Sequence, residues 1–173
     1  MPKQTESDMR KTVDNPADYG DRDAETSLMI IKRIFESPIF NPIDGRSPYF
    51  QPCITQVLIE LNDVLQKAAK KNLRVTFTDD IPQSAKAKDI TDLINDCRNA
   101  SCHVPSGKRI FENNKFTFCV ISGYSPQAMF INGTALECDY HDDIAIFWGN
   151  TRLYLVRHLF RAFHEANAVF SDL

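Results

Sequence analysis

A chain of 173 residues, 43% of them hydrophobic and 25% charged, can bury one sizeable core and has little room for two. Its net charge of -3 excludes the broad cationic surface that grips duplex nucleic acid, so any nucleic-acid contact must be local. No apolar run has the length of a membrane span and the opening MPKQTESDMRK lacks the apolar core of an export signal, so the five cysteines, scattered without a CxxC pair, read as reduced thiols of a cytoplasmic protein.

Residues 1–22 are polar and of mixed charge and are expected to form a flexible arm, leaving 23–173 as a single domain. From Ala24 to Ser37, Leu28, Ile31, Ile34 and Phe35 recur at helical spacing, and Pro38 closes the first helix. The connection that follows combines Pro38, Pro42, Gly45 and Pro48 with Phe40, Tyr49 and Phe50, the composition of an ordered loop pinned by aromatic rings. Pro52 suits the first turn of a second helix, whose buried face is Ile54, Val57, Leu58, Leu61, Val64, Leu65 and Ala68. After a short strand expected over Arg74 to Thr78, a third helix runs from about Lys88 to Ser101 on a stripe of Ile90, Leu93, Ile94 and Cys97.

Between Lys115 and Gly149 the period changes to two. KFTFCVIS alternates, Asn132-Gly133 is a strong two-residue turn between AMFI and TALECDY, and DIAIFW is a further strand. Asn150 is then expected to cap a long fourth helix with a seam of Leu153, Val156, Phe160, Phe163 and Phe170, broken by Asn167. The expected fold is mainly α, a four-helix bundle with a small antiparallel β-hairpin insertion at about 115–149.

The third helix ends in Arg98-Asn99-Ala100-Ser101-Cys102-His103, just before Val104 and Pro105. Pro105 disfavours helical geometry at Val104, which puts His103 at or past the last turn. Arg98 can fork onto phosphate oxygens and His103 can exchange a proton near neutral pH. Arg-x4-His with Asn directly after the Arg is expected by chance in only about 0.01 chains of this composition. The pattern resembles the Arg-Asn-x-x-x-His signature of HEPN domains, a family of small helical bundles, many of them metal-independent endoribonucleases. The resemblance implies Arg98, Asn99 and His103 as catalytic residues, no cofactor or metal, attack by an RNA 2'-hydroxyl, and a homodimer that brings two motifs to one cleft. It also implies the setting of a toxin or a phage-defence factor with an antitoxin or other regulatory partner. The competing reading is a non-catalytic HEPN-like module that binds RNA, a nucleotide or a protein.

Two looser pairs, Arg152 with His158 and Arg157 with His164, lie inside the expected last helix and rank second. His158 is expected on the exposed face and His164 at the edge of the seam. Cys138-Asp139-Tyr140-His141-Asp142-Asp143 is dense in metal-ligating types, yet without a second Cys/His cluster it reads as a strand end and turn, and Asp79-Asp80 as a loop acid pair. Trp148 reads as a packing anchor. Glu60 and Asp63, on the polar side of the second helix, are candidates to orient Arg98 or His103. Phosphate-loop, dinucleotide and nucleophile-elbow motifs are all missing from the sequence.

Overall fold

The computed structural model describes residues 16–40, 43, 45–81, 87–102, 110–111, 114–115, 118–131 and 133–171. Helix α1 is Pro16–Phe35, α2 Phe50–Lys70, α3 Ile90–Cys102 and α4 Arg161–Ser171. α1 therefore starts before Ala24, inside the segment expected to be an arm. The strands are β1 Ile110–Phe111, β2 Asn114–Lys115, β3 Cys119–Ser122, β4 Ser125–Ile131, β5 Thr134–Cys138, β6 Ile144–Trp148 and β7 Thr151–Tyr154.

The helices follow the apolar periodicity closely. Every residue assigned to the buried face of α2, from Ile54 to Ala68, is buried, as are Ile90, Leu93, Ile94 and Cys97 of α3. Asp89 caps α3, its Oδ1 accepting the Asp92 N–H at 3.0 Å, while its carboxylate holds Arg74 Nε and Nη2 at 2.8 Å each. The extended residues around Val75 form no strand. Their carbonyls are spent on α3 instead, Val75 O accepting the Thr91 hydroxyl at 2.7 Å and Phe77 O the Ile90 N–H. The loop after α1 is pinned as expected through Phe40, whose ring meets Phe35 at 5.7 Å and Phe50 at 5.4 Å.

The four-helix bundle with a small hairpin is overturned by the strands. Those described form three antiparallel sheets, β1-β2, β3-β6-β7 and β4-β5, and the middle one lies inside the molecule. Every residue of β6 is buried. Its Ile144, Ile146 and Trp148 join the helices in the main core. The alternate residues Ala145 and Phe147 face the other way, into a second cluster with Leu136 and Cys138 of β5 and Tyr154 of β7. A strand covered on both faces is a layer of the core, so the fold is mixed α/β: helices, a three-stranded sheet, then the β4-β5 hairpin.

The expected fourth helix also begins too early. Trp148 pairs with Thr151 across Gly149 and Asn150, and Gly149 has φ +61°, so Asn150 belongs to a tight hairpin turn rather than to a helix cap. Leu153 consequently sits on β7. A π-helical segment, Leu155–Phe160, then leads into α4. Asn167 is exposed and bonds Ser171, so it marks where the seam meets solvent. Among the described residues, no helix is long and apolar enough to cross a membrane.

Candidate functional site

α3 presents the carboxyl-terminal motif from a rigid base. Its amino end is fixed by the Asp89 cap and the Arg74 clamp, and its stripe by α2, so Arg98 leaves from the flank of a buried face and is itself half-buried. Arg98 Nη1 donates to Asn99 Oδ1 at 3.0 Å, and Asn99 Nδ2 reaches Asn95 Oδ1 at 3.4 Å. Ser101 Oγ donates to the Arg98 carbonyl at 2.8 Å, taking up one carbonyl of the last turn. Arg98 Nε is buried and meets no hydrogen-bond partner among the described residues. His103 lies outside the described residues.

Arg98 differs in its surroundings from the arginines of the carboxyl-terminal half. Arg152 sits on Asp139 at 2.9 Å, Arg157 on Asp142 at 3.1 Å and Asp143 at 3.2 Å, and Arg161 on Asp79 and Glu165 at 2.8 Å each. Arg98 touches no carboxylate among the described residues, and its one hydrogen-bond partner there is a neutral amide. Glu60 and Asp63 do not supply one. Glu60 accepts from Ser27 and Gln56 at 2.6 Å each, and Asp63 holds Lys67 at 2.7 Å.

The looser arginine and histidine pairs form no site. Their arginines are neutralised as above. His158 is fully buried rather than exposed, because the helical segment carrying it starts later and in a different register than the sequence pattern suggests. His164 is the exposed one, its ring centroid 5.3 Å from that of Phe163.

The turn from Cys138 to Asp143 is likewise committed to internal contacts. Cys138 Sγ is buried against the carbonyls of Tyr140 and Asp143, and the Tyr140 hydroxyl donates to Asp80 at 2.7 Å. The Asp143 carboxylate accepts the N–H groups of Val156 at 2.8 Å and Arg157 at 3.0 Å, capping the π-helical segment from a distant turn. The Tyr154 hydroxyl donates to Asp139 at 2.8 Å, and burial, followed by that bond, pushes the phenol far above its ordinary range. Sequence reasoning missed this array of Asp79, Asp80, Asp139, Asp143, Arg152, Arg157 and Arg161. Its members lie up to 82 positions apart, and no local spacing announces them. Trp148 is fully buried, with its ring edge-on to Phe118 at 5.4 Å. All five cysteines are free thiols.

Comparison with family models, with curated proteins and with solved structures gives no match for this chain.

Proposed function

We propose that the carboxyl end of α3 binds an RNA phosphodiester and cleaves it, with charge on the phosphoryl oxygens stabilised by Arg98 rather than by a metal. The observation that carries this reading is the half-buried Arg98 guanidinium, which has no carboxylate beside it among the described residues and whose Nε is buried without a partner. A cation kept partly out of water without a counter-charge is costly, and an anionic ligand offsets that cost. Asn99, bonded to Nη1, holds the guanidinium in one orientation.

In the reaction, the RNA 2'-oxygen forms a bond to the adjacent phosphorus and the bond from phosphorus to the 5'-oxygen breaks. His103 moves the protons, taking one from the 2'-hydroxyl or giving one to the departing 5'-oxygen. Arg98 stabilises charge on the non-bridging oxygens. A second copy of the chain would bring a second Arg98 and His103 to the same phosphate, and the reading therefore includes a homodimer, checked by light scattering at micromolar concentration. The test of the chemistry is incubation of labelled RNA with the purified protein in EDTA. Fragments ending in a 2',3'-cyclic phosphate and a 5'-hydroxyl support the reading. Binding without cleavage favours the non-catalytic alternative, and absence of both removes it.

A further inference from the structure

Residues Thr78–Ile81 form a tight turn closed by the Ile81 N–H on the Thr78 carbonyl at 3.1 Å. Asp80 within it has φ +57°, a left-handed conformation that a side-chain-bearing residue adopts at a cost and keeps only when its surroundings hold it. Three contacts hold it. Arg161 Nη1 meets the Asp79 carboxylate at 2.8 Å, the Tyr140 hydroxyl donates to Asp80 at 2.7 Å, and His158 Nε2 lies 2.9 Å from the Asp79 carbonyl.

The third contact depends on protonation. The Tyr154 N–H donates to His158 Nδ1 at 3.1 Å, and a backbone amide can only donate, so Nδ1 is bare. The single ring proton is therefore on Nε2, where it is given to the Asp79 carbonyl. Both nitrogens of a fully buried ring are committed, and only the neutral form fits both partners.

We propose that this turn is an acid-released latch: protonation of His158 frees Asp79 and Asp80 from the body of the protein. Adding a proton at Nδ1 sets two donors face to face. The new N–H needs an acceptor, and reaching one takes the ring away from its place between Tyr154 and Asp79. Tyr154 is fully buried and cannot follow, whereas Asp79 and Asp80 are exposed, so the turn is the side that yields.

The charges around the ring come from every element packed on it. Asp79 and Asp80 face it from the turn, Asp143 from the residue before β6, Arg152 from β7, Arg157 from its own helical segment and Arg161 from the start of α4. Phe77 and Tyr154 supply aromatic walls at 6.4 and 5.4 Å between centroids. Burial holds the imidazole below the usual histidine range, against the raising effects of the Asp79 carbonyl bond and of Asp80 and Asp143. The latch is thus closed at neutral pH and opens only as the pH falls through a His158 midpoint that burial holds below the usual histidine range.

The test is a pH titration of the full-length, isotope-labelled protein from 7.5 to 5.0 by NMR, a range in which carboxylates of ordinary pKa stay largely ionised. The amides of Asp79, Asp80 and Ile81 should shift or broaden with the midpoint of the His158 ring signals. His158→Gln, which offers one acceptor and one donor and does not titrate, should abolish the response. Tyr140→Phe, which removes the hydrogen bond to Asp80 without changing any charge, should move the midpoint to higher pH. Turn amides that stay fixed across the range, or that respond identically in His158→Gln, would overturn the proposal. If that variant does not fold, an unchanged midpoint in Tyr140→Phe overturns it equally.

Discussion

The Arg157 guanidinium lies across the Tyr140 ring, 3.5 Å from its Cζ to the ring centroid, and at the same time reaches the wholly buried carboxylate of Asp143. Two layers are joined at this point, since Asp143 immediately precedes β6 and Arg157 lies in the first turn of the helical segment that runs into α4. The cation is attracted to the ring face as well as to the acid, and the acid also accepts the backbone N–H groups of Ile144, Val156 and Arg157.

Removing Asp143 should therefore be expensive. Asp143→Ala leaves the amides of Val156 and Arg157 without that carboxylate and the Arg157 guanidinium with Asp142 alone, and unfolding free energy should fall by about 3 kcal/mol, at the low end for a broken buried pair because Arg157 keeps Asp142 and some access to water. Urea denaturation measures it. A loss under about 1 kcal/mol would mean that solvent replaces the carboxylate at little cost.

Acid should loosen the amino end of α3 by a separate route. Burial raises the Asp89 pKa, but the Arg74 hydrogen bonds and the Asp92 N–H outweigh it and hold the carboxyl below its ordinary value. A group whose folded pKa is depressed contributes stability that is complete above the unfolded value, about 3.9, and is lost as pH falls through the lower folded one. The urea midpoint should thus drop steeply below about pH 4. Arg74→Gln should be less stable at pH 7 and show a flatter acid limb, and identical limbs in the two proteins would contradict the assignment.

Gly149 should resist substitution. At φ +61° in the turn joining β6 to β7, an alanine is forced into a left-handed conformation, and Gly149→Ala should cost about 1–2 kcal/mol. Gly149→Asn should cost less, since asparagine tolerates that region better. Thermal unfolding of the two variants checks the order.

The same turn shows where the sequence was legible and where it was not. Asn132-Gly133 reads as a hairpin because alternating strands flank it, and Ile131 does pair with Thr134. Gly149-Asn150 is an equally good hairpin turn, but TRLY after it also fits a helical seam through Leu153 and Val156, and four residues cannot separate the two periods. That choice removed β7 and with it the three-stranded sheet. β6 gave no warning, because a strand buried on both faces loses the alternation that marks a surface hairpin. The apolar stripes of α2 and α3 were readable because each is buried against a neighbour, although Phe50, Thr91 and Ala100 are buried beyond them. Arg98 was visible as a motif residue at a helix end. That it meets no carboxylate among the described residues was not, because that depends on Glu60 and Asp63 being engaged elsewhere.

The measurement closest to the central claim is the single-turnover rate of RNA cleavage in EDTA by the wild type, Arg98→Ala and His103→Ala. A positioned proton transfer or a charge-stabilising donor is worth roughly 10²–10⁴-fold, so each variant should cleave at least about 100-fold more slowly. Arg98 lies on the flank of the α3 stripe, so the helical circular-dichroism signal of Arg98→Ala should match the wild type, whereas Leu93→Ala, at a position 3% exposed, should lose about 2–5 kcal/mol of stability. Cleavage undiminished in both variants, or cleavage that stops in EDTA and returns with a divalent cation, would contradict the account.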